Sequence, residues 1–220
     1  LQSGRNEMTQ AMNDQNSADP VEIQFQQGTL SVKPNYFNGL EGLFPWLSWD
    51  QRSRTYRCHA DRYRELIRYL YKNTIRYSDF APKYETLKLS LKTEFQPFDY
   101  QKEALEAWNP TKKGITVLPT GTGKSFLAAL SIEQVQRSTL ILAPTIDLIL
   151  QWQKNLAEWF QCEVGLLGGG SYDIKEITVS TYDSARINAE QIGNRFCYLV
   201  FDECHHLPAP AYSQMTRAYI

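Results

Sequence analysis

The sequence predicts an α/β protein in two parts, a small α+β domain over residues 21–90 and a parallel-sheet α/β domain over residues 91–220. Three observations carry this. Residues 21–32 alternate apolar and polar side chains around Gln27 and Gly28, and residues 61–72 repeat apolar side chains at helical spacing. From residue 115 onward, short aliphatic runs alternate with helical stretches, as in a parallel sheet with covering helices. At one strand-to-helix junction a glycine-rich turn precedes a lysine and a serine, and 78 residues beyond that lysine another apolar strand ends in two adjacent carboxylates.

Composition narrows the class. With 220 residues and 42% hydrophobic side chains, the chain can bury a sizeable core in one or two domains. No apolar run reaches the roughly 18 residues of a membrane span, because the longest, residues 140–150, is broken by Pro144 and Asp147. No membrane partner is expected, and the polar N-terminus reads as no secretory signal. Cys58, Cys162, Cys197 and Cys204 lack both C-x-x-C pairing and ligand spacing with the histidines, so neither a zinc site nor a disulfide framework is expected. A reducing, intracellular home is the default expectation.

Residues 1–20 have too few large apolar side chains to offset the entropy of ordering and are expected to be disordered. The hairpin over residues 21–32 comes next, then loops or short helical turns over 34–51 and a short strand at 55–58. The helix over residues 61–72 sets Tyr63, Leu66, Ile67, Leu70 and Tyr71 toward a core, with Arg64, Arg68 and Lys72 four apart on the other side. Residues 52–76 carry eight basic and two acidic side chains, a local charge of +6 that leaves the rest of the chain at −7. Tyr56, Tyr69 and Tyr77 are interleaved with these charges. Such a mixture suits phosphates and stacked bases, although a solvated helix face would read the same way.

A strand or linker over residues 87–91 closes the first domain, with the boundary near 90. A helix over 99–108 ends in a turn at 109–111. Ile115, Thr116, Val117 and Leu118 suit a buried parallel strand. Further strands are predicted at 139–143, 163–167, 177–180 and 197–201, with a helix over 146–160 and a flexible run at Gly168, Gly169 and Gly170.

The turn after Leu118 reads Pro119, Thr120, Gly121, Thr122, Gly123, Lys124, Ser125. The glycines can adopt backbone angles that point successive N–H groups into one concavity, to which the following helix adds its partial positive end. That arrangement binds phosphates, with Lys124 reaching the outer phosphates and the Ser125 hydroxyl ligating magnesium. Leu118 stands where the strict G-x-x-x-x-G-K-[ST] pattern has glycine. At the other end of the sheet sequence, the strand 197–201 delivers Asp202 and Glu203 to the crevice where open α/β sheets bind ligands. Phosphoanhydride hydrolysis needs a metal to offset developing charge and a group to orient the attacking water. Asp202 suits the first role and Glu203 the second.

The segment 119–125 together with Asp202, Glu203, Cys204 and His205 resembles the first RecA-like lobe of superfamily 2 helicases of the DExH type. Tyr100 and Gln101 resemble the family's adenine-reading glutamine motif. Ala143, Pro144 and Thr145, and the run 180–184 that contains Thr181, resemble two motifs that touch the nucleic-acid backbone in the family. More narrowly, residues 180–185, 192–196 and 202–209 are similar to XPB-type DNA repair helicases, and residues 21–85 resemble the small damage-recognition domain that precedes their first lobe.

The resemblance implies a RecA-like, P-loop NTPase lobe that uses ATP and Mg2+, with DNA along the lobe and the N-terminal domain, in a bacterial or archaeal cytoplasm or a nucleus. It implies catalytic roles for Lys124, Asp202 and Glu203, with Ser125 and Asp202 at the metal. Pro119, Thr120, Gly121, Thr122, Gly123, Lys124, Ser125 and Gln101 would hold the nucleotide; Thr145, Thr181, Arg64, Arg68 and Lys72 would meet DNA. Its other expected partner is a second RecA-like lobe of the same enzyme, absent from these 220 residues, with a nuclease or other repair protein as a further candidate. The chain is thus expected to be the N-terminal half of an ATP-dependent DNA helicase or translocase, unable to unwind by itself. A DNA-dependent ATPase motor of a restriction or remodelling system, and a non-catalytic DNA-binding module, are the competing readings.

Overall fold

Gln27 and Gly28 form a two-residue turn and both take positive φ, 49° and 75°, which a tight hairpin between right-twisted strands requires. The computed structural model describes residues 20–33, 44–119, 121–206 and 210–220. Residues 1–19, predicted to be disordered, lie outside that set, as do residues 34–43 of the predicted loop region, Thr120, and residues 207–209. The chain divides into two units, one running to Pro82 and including 217–220, the other spanning Lys83–Thr216.

In the first unit, β1 (Val21–Gln26) and β2 (Thr29–Lys33) form the predicted hairpin. β3 (Ser48–Asp50), β4 (Thr55–His59) and, after the helix α1 (Tyr63–Lys72), β5 (Tyr77–Phe80) complete a five-stranded sheet in the order β3-β4-β2-β1-β5. Only β5 runs parallel to its neighbour, β1. Alternation along β1 sends Val21 and Ile23 inward, where they join Leu30, Val32, Tyr56 and Cys58 in a core closed by Leu66 and Leu70 of α1. Each fully buried leucine contributes about 1.5–3 kcal/mol of transfer free energy. The Tyr63 hydroxyl donates to Asp79 Oδ2 at 2.5 Å, tying the start of α1 to β5.

In the second unit come α2 (Asp99–Trp108), α3 (Lys124–Val135), β6 (Thr139–Ala143), α4 (Ile146–Phe160), β7 (Gly165–Gly168) and β8 (Ser171–Asp173). β9 (Ile177–Thr181), α5 (Tyr182–Ile192), β10 (Tyr198–Phe201) and α6 (Pro210–Met215) follow. The sheet order is β10-β6-β9-β7-β8, parallel except for β8. β6 is buried along its whole length, as a central strand covered on both faces must be. The architecture is the predicted one: a small mixed-sheet domain, then a parallel α/β lobe.

Several local expectations are corrected. Residues 115–118 form no strand, and Ile115 and Val117 are 78% and 87% exposed. Apolar, β-branched composition is not sufficient for a strand: the segment pairs with no neighbour, although the outer edge of β10 is unpaired among the described residues. The segment 87–91 is not a strand that closes the first domain. It is an extended strap on the second unit, held by Gln136, whose amide accepts from Leu89 N at 2.7 Å and donates to Leu89 O at 2.7 Å. Leu91 N donates to Glu133 Oε1 at 2.8 Å. Leu87, Leu89 and Leu91 pack against the second core, so the structural division falls at Pro82 rather than near 90. The glycine run, read as flexible, is the tight β7–β8 turn, with φ of 135°, 60° and 89° at Gly168, Gly169 and Gly170. The helix α5 was not predicted, because its buried stripe of Tyr182, Ala185, Ala189 and Ile192 includes two alanines too small to register as an apolar face.

Candidate nucleotide and nucleic-acid site

The sheet brings three of the predicted residues, Thr145, Thr181 and Asp202, to one edge. Because β10, β6, β9 and β7 are parallel, their C-terminal ends share a rim, and the pairings of Phe201 with Leu142 and of Ala143 with Thr181 put those ends level. Asp202 follows β10, Thr145 lies two residues beyond β6, and Thr181 ends β9.

Asp202 is held from four directions. Its backbone N–H donates to Leu142 O at 2.8 Å, its carbonyl accepts from the Tyr182 hydroxyl at 2.9 Å, Oδ1 accepts from Glu203 N at 3.0 Å and Oδ2 accepts from the Trp152 indole at 2.8 Å. Each carboxylate oxygen keeps a second lone pair, so the set suits a divalent ion or its water. Glu203 sits in the left-handed region at φ 50°, uncommon for a residue with a Cβ. Its exposed carboxylate lies 3.4 Å from His205 Nδ1. Burial, reinforced by the neighbouring Cys204 and the carboxylates of Asp202 and Glu203, pushes the Tyr182 phenol up, so it remains a donor.

At the glycine-rich turn, Gly121 and Gly123 take φ of 82° and 76°, and Gly123 caps α3. Lys124 and Ser125, the first helical residues, are partly exposed. The Thr122 hydroxyl donates to Pro119 O at 2.6 Å, closing the turn on itself. Gln101 is the residue whose placement sequence reasoning missed. It is 1% exposed, with Nε2 donating to Thr122 O at 3.3 Å and Gly123 O at 3.1 Å while Oε1 accepts from Phe98 N at 2.9 Å. Its amide is thus committed to the backbone of the loop. The Tyr100 hydroxyl grips the same carbonyl of Thr122 at 2.8 Å. Neither Lys124 nor Ser125 makes a hydrogen bond or ion pair with Asp202 or Glu203.

Thr145 and Thr181 share one local job. Each is a helix N-cap: Thr145 Oγ1 accepts from Leu148 N at 3.3 Å and Thr181 Oγ1 from Ser184 N at 3.2 Å. Thr181 also donates to Ser184 Oγ at 2.9 Å.

On α1, Arg64, Arg68 and Lys72 are exposed, and none has an ion-pair partner among the described residues; Arg62, by contrast, bridges to Glu65 at 3.4 Å. The aromatic side chain that accompanies them is not one of the three predicted. Tyr56 is buried against Trp49, Tyr69 packs edge-on against Phe44, and Tyr77, at the start of β5, packs against the first core. Tyr71, predicted to face the core, is 79% exposed. It lies three residues after Arg68 and seven after Arg64, on their helix face, and Leu66 and Leu70 already fill the space beneath the helix. Helical spacing of Tyr71 with Arg64 was legible in the sequence; the aromatic ring obscured it by resembling core.

No helix among the described residues is long and apolar enough to cross a membrane.

Comparison with known proteins adds a second line. Residues 94–219 match the family described as type III restriction enzyme, res subunit, and residues 23–81 match the xeroderma pigmentosum group B helicase damage recognition domain. The chain is 39% identical over 188 residues to a DNA 3'-5' translocase XPB2 of Sulfurisphaera tokodaii, covering 84% of this chain and 42% of that protein. It is 30% identical over 140 residues to a DNA 3'-5' helicase XPB of Mycobacterium tuberculosis, covering 58% and 26%. A general transcription and DNA repair factor IIH helicase/translocase subunit XPB/SSL2 of Saccharomyces cerevisiae is 23% identical over 180 residues, covering 72% and 20%. The chain therefore spans less than half the length of each of these relatives.

Proposed function

Because the chain belongs to the superfamily 2 helicases of the XPB type, we propose that it supplies the ATP-binding lobe and the DNA-contacting N-terminal domain of an ATP-driven DNA helicase or translocase. The observation that carries this reading is the fourfold-held Asp202, with Glu203 beside it, at the end of a parallel strand. In this reading Gly121 and Gly123 let the loop turn its N–H groups inward, and Lys124 sets a positive charge against the outer phosphates. Ser125 and Asp202 hold Mg2+, which when bound neutralises charge on the phosphoryl oxygens. Glu203 orients the attacking water and takes up its proton. Gln101 acts from behind the loop, fixing its shape through the carbonyls of Thr122 and Gly123. Thr145 and Thr181, on the rim, face a DNA strand, while Arg64, Arg68 and Lys72 meet its phosphates elsewhere. A second RecA-like lobe closes the ATP site and makes strand movement possible. The cell interior is the expected setting, and a nuclease or other repair protein remains a candidate partner.

A motor of the restriction type would share this lobe, but the damage-recognition match over residues 23–81 favours the repair type. DNA-stimulated ATP hydrolysis by the full-length protein tests the proposal. Lys124→Ala should abolish nucleotide binding. Glu203→Gln should keep it and lower turnover about 10²- to 10⁴-fold. Turnover that survives both changes would overturn the assignment.

A further inference from the structure

Two helices that begin on the rim both reach the same aspartate. α4 starts at its cap Thr145 and, seven residues on, donates the Trp152 indole N–H to Asp202 Oδ2 at 2.8 Å. α5 starts at its cap Thr181, and the very next residue, Tyr182, donates its hydroxyl to Asp202 O at 2.9 Å. Both donors are interior, Trp152 at 4% and Tyr182 at 2% exposure. A buried indole N–H left without an acceptor is costly, which holds Trp152 to Asp202, and the Tyr182 hydroxyl spends its one proton on the Asp202 carbonyl.

We infer that Asp202 is the joint through which α4 and α5 report a strand held at Thr145 and Thr181 to the nucleotide site, with Trp152 and Tyr182 as its positioning residues. The inference rests on the ATPase reading above, from which it takes the metal role of Asp202 and the strand contacts of the two threonines. Its mechanical part rests on packing. Ile149, Trp152, Leu156 and Phe160 seat α4 in the core, so a pull at Thr145 moves the helix as a body rather than bending it. The Tyr182 ring lies 5.1 Å from that of Tyr212 and 6.3 Å from that of Phe201, and so cannot swing to another acceptor without displacing both. A hydrogen bond weakens steeply once stretched beyond about 3.2 Å, so a shift of roughly half an ångström in either helix must be followed by Asp202 or break the bond. One helix acts on the carboxylate that would face the metal and the other on the backbone behind it. Together they set both the position and the tilt of the group.

The test uses the full-length protein and measures binding of a fluorescent ATP analogue with and without saturating single-stranded DNA. Coupling of this kind changes affinity by about 5- to 150-fold, and linkage requires the nucleotide to change DNA affinity by the same factor. In Tyr182→Phe, which deletes only a hydroxyl, both ratios should fall to within about twofold of one. Trp152→Phe should do the same; it also removes core volume, so Tyr182→Phe decides the matter if Trp152→Phe does not fold. An unchanged ratio in Tyr182→Phe overturns the inference. So does weakening of both affinities with the ratio intact, which is what merely structural damage produces. A parent that binds ATP and DNA with a ratio of one overturns the inference alone, whereas a parent that binds no ATP overturns the ATPase reading along with it.

Discussion

Between Gln101 and Gly123 there is no room for another atom. The Gln101 amide nitrogen donates to Gly123 O at 3.1 Å and lies 2.8 Å from where a Cβ on residue 123 would stand. That nitrogen also serves Thr122 O, and the opposite end of the amide accepts from Phe98 N, so the side chain cannot withdraw without breaking three hydrogen bonds. Gly123→Ala should therefore act twice, through its φ of 76° and through displacement of Gln101. Its stability should fall by more than about 1 kcal/mol, and ATP affinity should fall with the loop. Denaturant melts and nucleotide titration check both; Gly121→Ala, whose Cβ would meet nothing within 4 Å, should show only the backbone part.

Thr145 and Thr181 are expected to serve both stability and strand binding, and the two roles are separable. Replacing either by alanine removes an N-cap and should cost about 1 kcal/mol, read from thermal or denaturant unfolding. Thr145→Ser and Thr181→Ser should restore the cap. If the serine variants also restore DNA affinity, the hydroxyl is the shared agent; if affinity stays low, the missing methyl group is responsible.

The exposed row on α1 predicts a salt signature. Binding of duplex DNA should weaken linearly on a log–log plot of salt, and replacing Arg64, Arg68 and Lys72 together should shallow that slope by about 0.9 for each phosphate that is no longer neutralised. Tyr71→Ala should leave the slope unchanged while weakening binding to single strands or unpaired sites by about 1–3 kcal/mol, the range for base stacking. Equal effects on duplex and single-stranded DNA would assign Tyr71 to the phosphates instead.

Cys58 gives a pH prediction. Burial pushes its thiol up from 9.0 to about 12, with Asp61 adding to the shift and Arg62 opposing it. A raised value in the folded state means that the folded chain holds the proton more tightly. The linked stability is therefore complete below pH 9 and is lost as the pH rises toward 12. Unfolding midpoints should be flat for this group from pH 7 to 9 and fall above. At pH 8 a thiol reagent should modify the exposed Cys197 well before Cys58, and rapid labelling of Cys58 in the native protein would contradict its burial.

Sequence alone determined the class of this protein and most of its vocabulary. The hairpin at Gln27 and Gly28, the helix Asp99–Trp108, the long helix Ile146–Phe160, and the strand that ends at Asp202 and Glu203 were all legible, because each is encoded by local periodicity, turn chemistry or short spacing. Tertiary structure alone decided the rest. Whether residues 115–118 become a strand depends on their pairing with a neighbour, which their own side chains do not secure. Whether Gln101 faces a ligand or the loop depends on a helix and a turn 21 and 22 residues apart in the chain. Whether Tyr71 or Tyr69 is exposed depends on which side of α1 meets the sheet. And the convergence of Trp152 and Tyr182 on Asp202 joins residues 50 and 20 positions away from it, a relation that local pattern cannot carry because only the pairing of β10, β6 and β9 creates it.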